Sequence, residues 1–187
     1  RPLSTVKRAV DCVLSQINVD ANVVLVDFSD STDIRDFAHN YGHRVRYISS
    51  QRTGFRSSSI LDGLRAIKSE YFALLDDDDT VESCHWYQLI AAIEADQHKQ
   101  NRRFAYSGVV RVEEDGAFVQ NPGFNGDLDQ QIEERRELKF MDLYDPDRLL
   151  IYDNYIQSNA WVAKSSLLQS IDIGNFEDPR LEVAEDV

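Results

Sequence analysis

Five residues with apolar or aromatic side chains, Tyr71-Phe72-Ala73-Leu74-Leu75, run without a polar break into four consecutive aspartates, Asp76 to Asp79. A strand without polar alternation has no face to give to water, so it must be covered on both sides, as strands inside α/β sheets are. Val23-Val24-Leu25-Val26 repeats the pattern, and Asp27 closes it. Helical spacing surrounds these runs. Val6, Ala9, Val10, Val13, Leu14 and Ile17 follow Ser4, which is predicted as an N-cap. Ile34, Phe37 and Ala38 give a short helix stopped at Gly42, and Val45, Tyr47 and Ile48 give another strand. Ser57 to Ser69 carries Ile60, Leu61, Leu64 and Ile67; Trp86, Leu89, Ile90 and Ile93 mark one more helix. Helices alternating with strands over short connections predict βαβ units and a largely parallel, Rossmann-like sheet flanked by helices.

Past about residue 103 the pattern changes. Phe104 to Val112 and Ala117 to Val119, joined through Gly116, predict a hairpin. Asn121 to Met141 predicts a long charged surface loop; Leu149 to Tyr152, Tyr155 to Val162 and Ser165 to Ile171 predict a short helix, a strand and a helix. At 187 residues the chain is expected to form a single domain, 1–187, with a Rossmann-like part at 1–100 and a more mixed half at 101–187. Arg1-Pro2 is not a natural start, so trimming is expected there. A net charge of -13 argues against nonspecific nucleic-acid binding, which needs clustered cations on the phosphates. Cys12 and Cys84 form neither a disulfide framework nor a metal motif, which favours a reducing, cytoplasmic setting.

Ligands of open parallel sheets sit beyond the carboxyl ends of the strands. Asp27 and Asp76 to Asp79 both end predicted strands, so both are expected on one rim. The plain reading of an aspartate run there is a solvated turn that caps the next helix. The functional reading is a hard-cation site, because carboxylate oxygens suit Mg²⁺ or Mn²⁺, which in turn hold a diphosphate. An EF-hand is excluded, since Val81 stands where its glycine belongs. His39, His43, His85 and His98 share no metal spacing; Trp86, Tyr87 and Trp161 are expected in the core.

Tyr71 to Val81, YFALLDDDDTV, resembles the strand and Asp-x-Asp segment of family 2 glycosyltransferases with the GT-A fold. Three further stretches match in order: Arg1-Pro2 with a helix closing on Gln16, VVLVDFSDSTD from Val23 to Asp33, and Gly174-Asn175-Phe176-Glu177-Asp178 followed by Glu185-Asp186. There are departures. Phe28 stands where the family usually has a second Asp, with Asp30 two residues on as its stand-in. Leu61-Asp62 replaces the family's Arg-Asn pair, and Arg52 and Arg56 are the arginines left to supply that charge.

The resemblance implies metal-dependent, inverting transfer of a sugar from a nucleotide-diphosphate donor to a saccharide or other hydroxyl acceptor, as in polysaccharide biosynthesis. Asp27, Asp30, Arg56, Asp76 and Asp77 would contact the donor, Asp78 the Mn²⁺ or Mg²⁺, and Asp186 would be the general base. It further implies that the family's first, central strand is missing upstream of Arg1 and that the chain is cut short near Val187. Strands 23–27 and 71–75 would then lie roughly 9–10 Å apart and unpaired. Attachment to the cytoplasmic face of a membrane would run through such absent segments. Two alternatives stand beside this reading. Asp76-x-Asp78-x-Thr80 fits a haloacid-dehalogenase-like phosphatase, with Asp76 as nucleophile and Asp78 as acid/base. A nucleotide-sugar-binding module without turnover is the other.

Overall fold

The computed structural model describes residues 2–50, 56–95, 102–107 and 159–170. Helix α1 (Leu3–Leu14) starts at Pro2, not at Ser4 as expected. Pro2 supplies its carbonyl to the amide and hydroxyl of Thr5, at 3.1 and 2.8 Å, so Ser4 lies inside the first turn. Val6, Ala9, Val10 and Val13 form its buried face. Strand β1 (Val23–Asp27) then leads to α2 (Thr32–His39), where Ser31 caps the amide of Ile34. The helix ends at Asn40, and Gly42 (φ +58°) opens a 3-10 turn rather than closing α2. Strand β2 (Val45–Ser49) pairs in parallel with β1, from Val23 opposite Val45 to Asp27 opposite Ser49.

Helix α3 (Arg56–Arg65) packs on β1 closely enough that a side chain at Gly63 would meet the Val26 methyl at 3.2 Å. The predicted strand at 71–75 is shorter: only Tyr71–Phe72 forms ladder bonds, as β3. Ala73 and Leu75 continue beyond the described ladder and still pack on the core. Helix α4 (His85–Glu94) covers that core with Trp86, Leu89 and Ile93. Strands β4 (Phe104–Tyr106) and β5 (Trp161–Lys164) complete a three-stranded antiparallel sheet in the order β3-β5-β4. Of the strand expected over Tyr155 to Val162, residues 155–158 fall outside the described residues, 159–160 form a turn and bend, and β5 begins at Trp161. The helix expected from Ser165 is a 3-10 segment, Ser165–Gln169.

The architecture is α/β, with a parallel pair flanked by helices, as the resemblance to GT-A enzymes leads one to expect. Strands β1 and β3 do not pair; each belongs to a different sheet. One apolar cluster joins α1 and α2 to β1 and β2; a second joins α1, α4 and β5, with Val23, Ala73 and Leu75 against it. Each fully buried valine or leucine contributes about 1.5–3 kcal/mol. Side-chain contacts behave as the core reading requires for Trp86, whereas Tyr87 is 44 % exposed. Trp161 stacks edge-on to Phe72 at 5.4 Å. By its contacts the chain divides into two units, residues 1–107 with 158–187, and residues 108–157. All the described residues belong to the first; residues 108–157, with the expected loop at 121–141 and short helix at 149–152, fall outside the described residues. Among the described residues no helix is long and apolar enough to cross a membrane.

Candidate active site

Strand β1 delivers Asp27 to the start of a tight loop, and the loop closes on it. One carboxylate oxygen, Oδ1, accepts hydrogen bonds from the backbone amide (2.8 Å) and hydroxyl (2.6 Å) of Ser29. The other, Oδ2, accepts from the amide of Ser31 (3.1 Å) and the hydroxyl of Tyr47 (2.9 Å). Asp27 is only 7 % exposed. Burial by itself would push its carboxyl up, but the bonds from Ser29, Tyr47 and Ser31 outweigh that and hold it below the ordinary carboxylate value. A ligand seeking this carboxylate must compete with donors already in place.

The loop turns outward at Asp30, whose φ of +53° lies in the left-handed region that Asp tolerates better than most residues. Its exposed carboxylate accepts from Arg35 at 2.5 Å and from the Ser49 hydroxyl at 3.3 Å. Phe28 beside it is 47 % exposed. The end of β2 is tied into the same place: the Ser50 amide donates to the Asp27 carbonyl (2.8 Å), and its hydroxyl to Asp62 of α3 (2.6 Å). Asp62 and the 3 %-exposed Leu61 therefore serve the packing of α3 here. Arg56 is the first residue of that helix, and its side chain lies outside those described; Arg52 lies outside the described residues altogether.

The four aspartates follow β3 as a turn, with the amide of Asp79 donating to the carbonyl of Asp76 at 3.2 Å. Asp76 and Asp78 are exposed, whereas Asp77 and Asp79 are half-buried. Asp79 accepts a hydrogen bond from the Asn159 side-chain amide at 2.5 Å. Burial raises the Asp79 carboxyl; the bond from Asn159 opposes that, and the charges of Asp76 and Asp78 add to it. On the other side, Arg8 of α1 donates to the Asp78 carbonyl at 2.9 Å. The segment that follows is stitched to the end of α1. The buried Gln16 donates to the Glu82 carbonyl (2.7 Å) and accepts from the Trp86 amide (3.2 Å), and the Ile17 amide donates to the Ser83 carbonyl (2.7 Å).

Antiparallel pairing explains how Asn159 arrives. Strand β5 enters the sheet where β3 and β4 leave it, so the residues just before Trp161 lie at the carboxyl end of β3. Arg8 and Asn159 were not legible as site residues. They stand 70 positions before and 80 positions after their partners, and neither belongs to a motif. Gln16 had a signal, the closing residue of the first helix. A recess of about 540 Å³, lined by Leu64, Lys68, Glu70 and Lys164, lies at the start of β3, away from the aspartate turn at its end. Asp186 and the Gly174 to Asp178 segment fall outside the described residues.

Two outward carboxylates on a turn are a donor set of the right chemistry for a small hard cation. Such an ion uses one or two carboxylates and takes its remaining oxygens from water and phosphate. No group of three or more His, Cys, Asp or Glu that could hold a metal occurs among the described residues, so a cation here would depend on the ligand's own oxygens. The turn can therefore offer negative charge to a cation that also takes oxygens from a diphosphate, while the Asp27 loop offers hydrogen-bonding groups and an aromatic face. Comparison with protein families matches residues 3–160 to the model described as Glycosyl transferase family 2. Comparison with curated proteins finds no match.

Proposed function

Because the chain belongs to glycosyl transferase family 2, its activity is glycosyl transfer, and we propose that its donor is a nucleotide-diphosphate sugar bound with Mn²⁺ or Mg²⁺ at the Asp76 to Asp79 turn. The observation that carries this reading is the exposure of Asp76 and Asp78 at the end of β3, with Asp79 turned to the protein. Asp78 ligates the cation, Asp76 and Asp77 approach the donor, and a bound cation supplies neutralisation of the departing diphosphate. The loop built on Asp27 meets the nucleoside, with Asp30 and the face of Phe28 as its outward groups and Arg56 beyond it on α3. Asp186 removes the proton of the acceptor hydroxyl as that oxygen attacks the anomeric carbon, so the product has inverted configuration. The acceptor is a saccharide or another hydroxyl compound, and the setting is cytoplasmic or at the cytoplasmic membrane face.

The phosphatase pattern Asp76-x-Asp78-x-Thr80 lies inside the segment matched to the glycosyltransferase family, which removes its independent support. A panel of nucleotide sugars, each assayed for binding and turnover with and without MnCl₂, tests the proposal. Metal-dependent binding with turnover is expected, and Asp186→Asn should lower turnover by roughly 10²–10⁴ with donor binding kept. Binding without turnover would instead favour the non-catalytic module, and hydrolysis of a phosphomonoester the phosphatase.

A further inference from the structure

Four carboxylates in sequence make a poor rigid site when left to themselves. Two unit charges about 4 Å apart still repel by about 1 kcal/mol in water, and by more near a protein surface. A turn carrying Asp76 to Asp79 is driven to splay, and a splayed turn must be reordered each time a cation binds. One bond within the turn runs from the Asp79 amide to the Asp76 carbonyl, at 3.2 Å. Two further restraints come from outside the turn. Arg8 holds the backbone at Asp78 from α1, and Asn159 holds the side chain of Asp79 from the approach to β5. Both residues stand on well-anchored supports. Val6, Ala9 and Val10 bury α1 on either side of Arg8, and Ala160, directly after Asn159, is 1 % exposed. The Ala160 carbonyl accepts from the Ser107 amide at 2.9 Å, which fixes this segment to the end of β4.

We infer that Arg8 and Asn159 are positioning residues for the donor site, and that Asn159 commits Asp79 to the protein so that the turn offers Asp76 and Asp78 as its outward pair. This rests on the reading of the turn as the cation and diphosphate site. The two residues act differently. Arg8 donates to a carbonyl, so it sets the course of the backbone and places a positive charge beside the run without consuming a carboxylate. Asn159 consumes one carboxylate oxygen through a neutral donor, which leaves the net charge of the turn unchanged. An aspartate at 159 would have the same shape, lack the donor, and add a fifth negative charge.

The test measures the Mn²⁺ concentration that half-saturates binding of UDP and of GDP, using the full chain and the variants Arg8→Met, Arg8→Lys, Asn159→Ala and Asn159→Asp. Arg8→Met and Asn159→Ala are each expected to raise half-saturation about three- to tenfold. Nucleotide affinity without metal and the melting temperature should stay near those of the unmutated chain. Arg8→Lys should recover most of the loss, because it restores a donor and a charge; Asn159→Asp should be at least as impaired as Asn159→Ala. Because both residues brace one turn, Arg8→Met with Asn159→Ala should give less than the product of the single effects. Unchanged half-saturation in both single variants overturns the inference, as does an equal loss of metal-free affinity. If the unmutated chain shows no manganese or nucleotide response, the functional reading fails, and backbone amide exchange at residues 77–80 decides the bracing separately. Faster exchange in Arg8→Met and Asn159→Ala upholds it; exchange at the unmutated rate overturns it.

Discussion

Two apolar runs of this protein lead into aspartate, β1 ending on Asp27 and the segment after β3 running into Asp76 to Asp79, and the two ends have opposite characters. At the end of β1 the chain folds back on Asp27, surrounds its carboxylate with Ser29, Ser31 and Tyr47, and leaves it 7 % exposed. Beyond β3 and Ala73 to Leu75 the chain leaves Asp76 and Asp78 exposed and is held by Arg8 and Asn159, which come from distant parts of the sequence. The first loop is organised by its carboxylate, and the second is organised around its carboxylates by other groups. A carboxylate that meets several backbone and hydroxyl donors within four residues is satisfied locally and becomes a loop's internal template. In the run of four, Asp78 and Asp79 are also held by side chains far away in the sequence, Arg8 and Asn159.

Substitution at Asp78 should break the comparison most sharply if it is wrong. Asp78→Asn removes an outward carboxylate and keeps the shape of the turn, including the carbonyl that Arg8 holds. Loss of a direct ligand should exceed the roughly 10–100-fold cost of losing a group that merely supports one. Metal-dependent nucleotide affinity is thus expected to fall by about 100-fold or more, with melting unchanged. Titration with MnCl₂ at fixed nucleotide, beside a thermal melt, reads both. A fall in melting temperature matching that of an Asp27 variant would erase the contrast.

Asp27→Asn should show the converse. The amide side chain keeps one acceptor oxygen and presents an NH₂ to groups that themselves donate, so at least part of the Ser29, Ser31 and Tyr47 set is left facing a donor. Hydrogen bonds to charged groups are worth about 1.5–3 kcal/mol. A loss of about 2–3 kcal/mol in unfolding free energy is expected on that scale, read by urea denaturation, with metal half-saturation moved much less than in Asp78→Asn. A stability loss under half a kcal/mol would show that the loop does not depend on the charge.

The acid limb of the stability curve sharpens the same point. The Asp27 carboxyl is held below its ordinary value of 3.8, so the unfolded state takes up this proton first. Its contribution is fully present above that value and is lost as pH falls through the lower folded value. As pH falls below the ordinary 3.8, the unmutated chain should therefore lose stability more steeply than Asp27→Asn, which lacks this group. Parallel acid limbs would mean that the carboxylate gains nothing from its four donors.

Much of the fold was legible because periodicity is a local property. The helices around Val6 to Val13, Ile34 to Ala38 and Trp86 to Ile93, and the strands at 23–27 and 45–49, all lie where apolar spacing puts them. The errors occur where partners decide. Tyr71 to Leu75 is apolar throughout, yet it is a strand only where Lys164 and Ala163 pair with it. Trp161 begins β5 later than the apolar residues from Tyr155 suggested, because the turn and bend at 159–160 intervene and carry Asn159 to Asp79. In the site, the run Asp76 to Asp79 stood out in the sequence, but four consecutive aspartates do not show which of them are exposed. The inward fate of Asp27 was not legible either, since an aspartate at a strand end looks the same whether it faces a ligand or a ring of hydroxyls. The serines that enclose it are in the sequence; Tyr47, on the neighbouring strand, takes part only through the register of β1 and β2.

That register gives the smallest test. Tyr47 lies opposite Leu25 in the parallel pair, and its hydroxyl reaches Asp27 Oδ2 at 2.9 Å while its ring lies 5.6 Å from the Arg35 guanidinium carbon. Tyr47→Phe keeps the ring and the cation contact and removes one of four donors to the carboxylate. The expected cost is about 1 kcal/mol, the usual scale for a single intramolecular hydrogen bond. The informative quantity is the coupling with Asp27→Asn in a double-mutant cycle. If the hydroxyl stabilises the fold chiefly by serving the charge, Tyr47→Phe should cost clearly less when residue 27 is already Asn, with a coupling of at least about half a kcal/mol. The hydroxyl can still donate to the remaining amide oxygen, so the cost need not vanish. Fully additive losses would show that Tyr47 acts through packing alone, and the Asp27 loop would then be closed by its serines without help from the neighbouring strand.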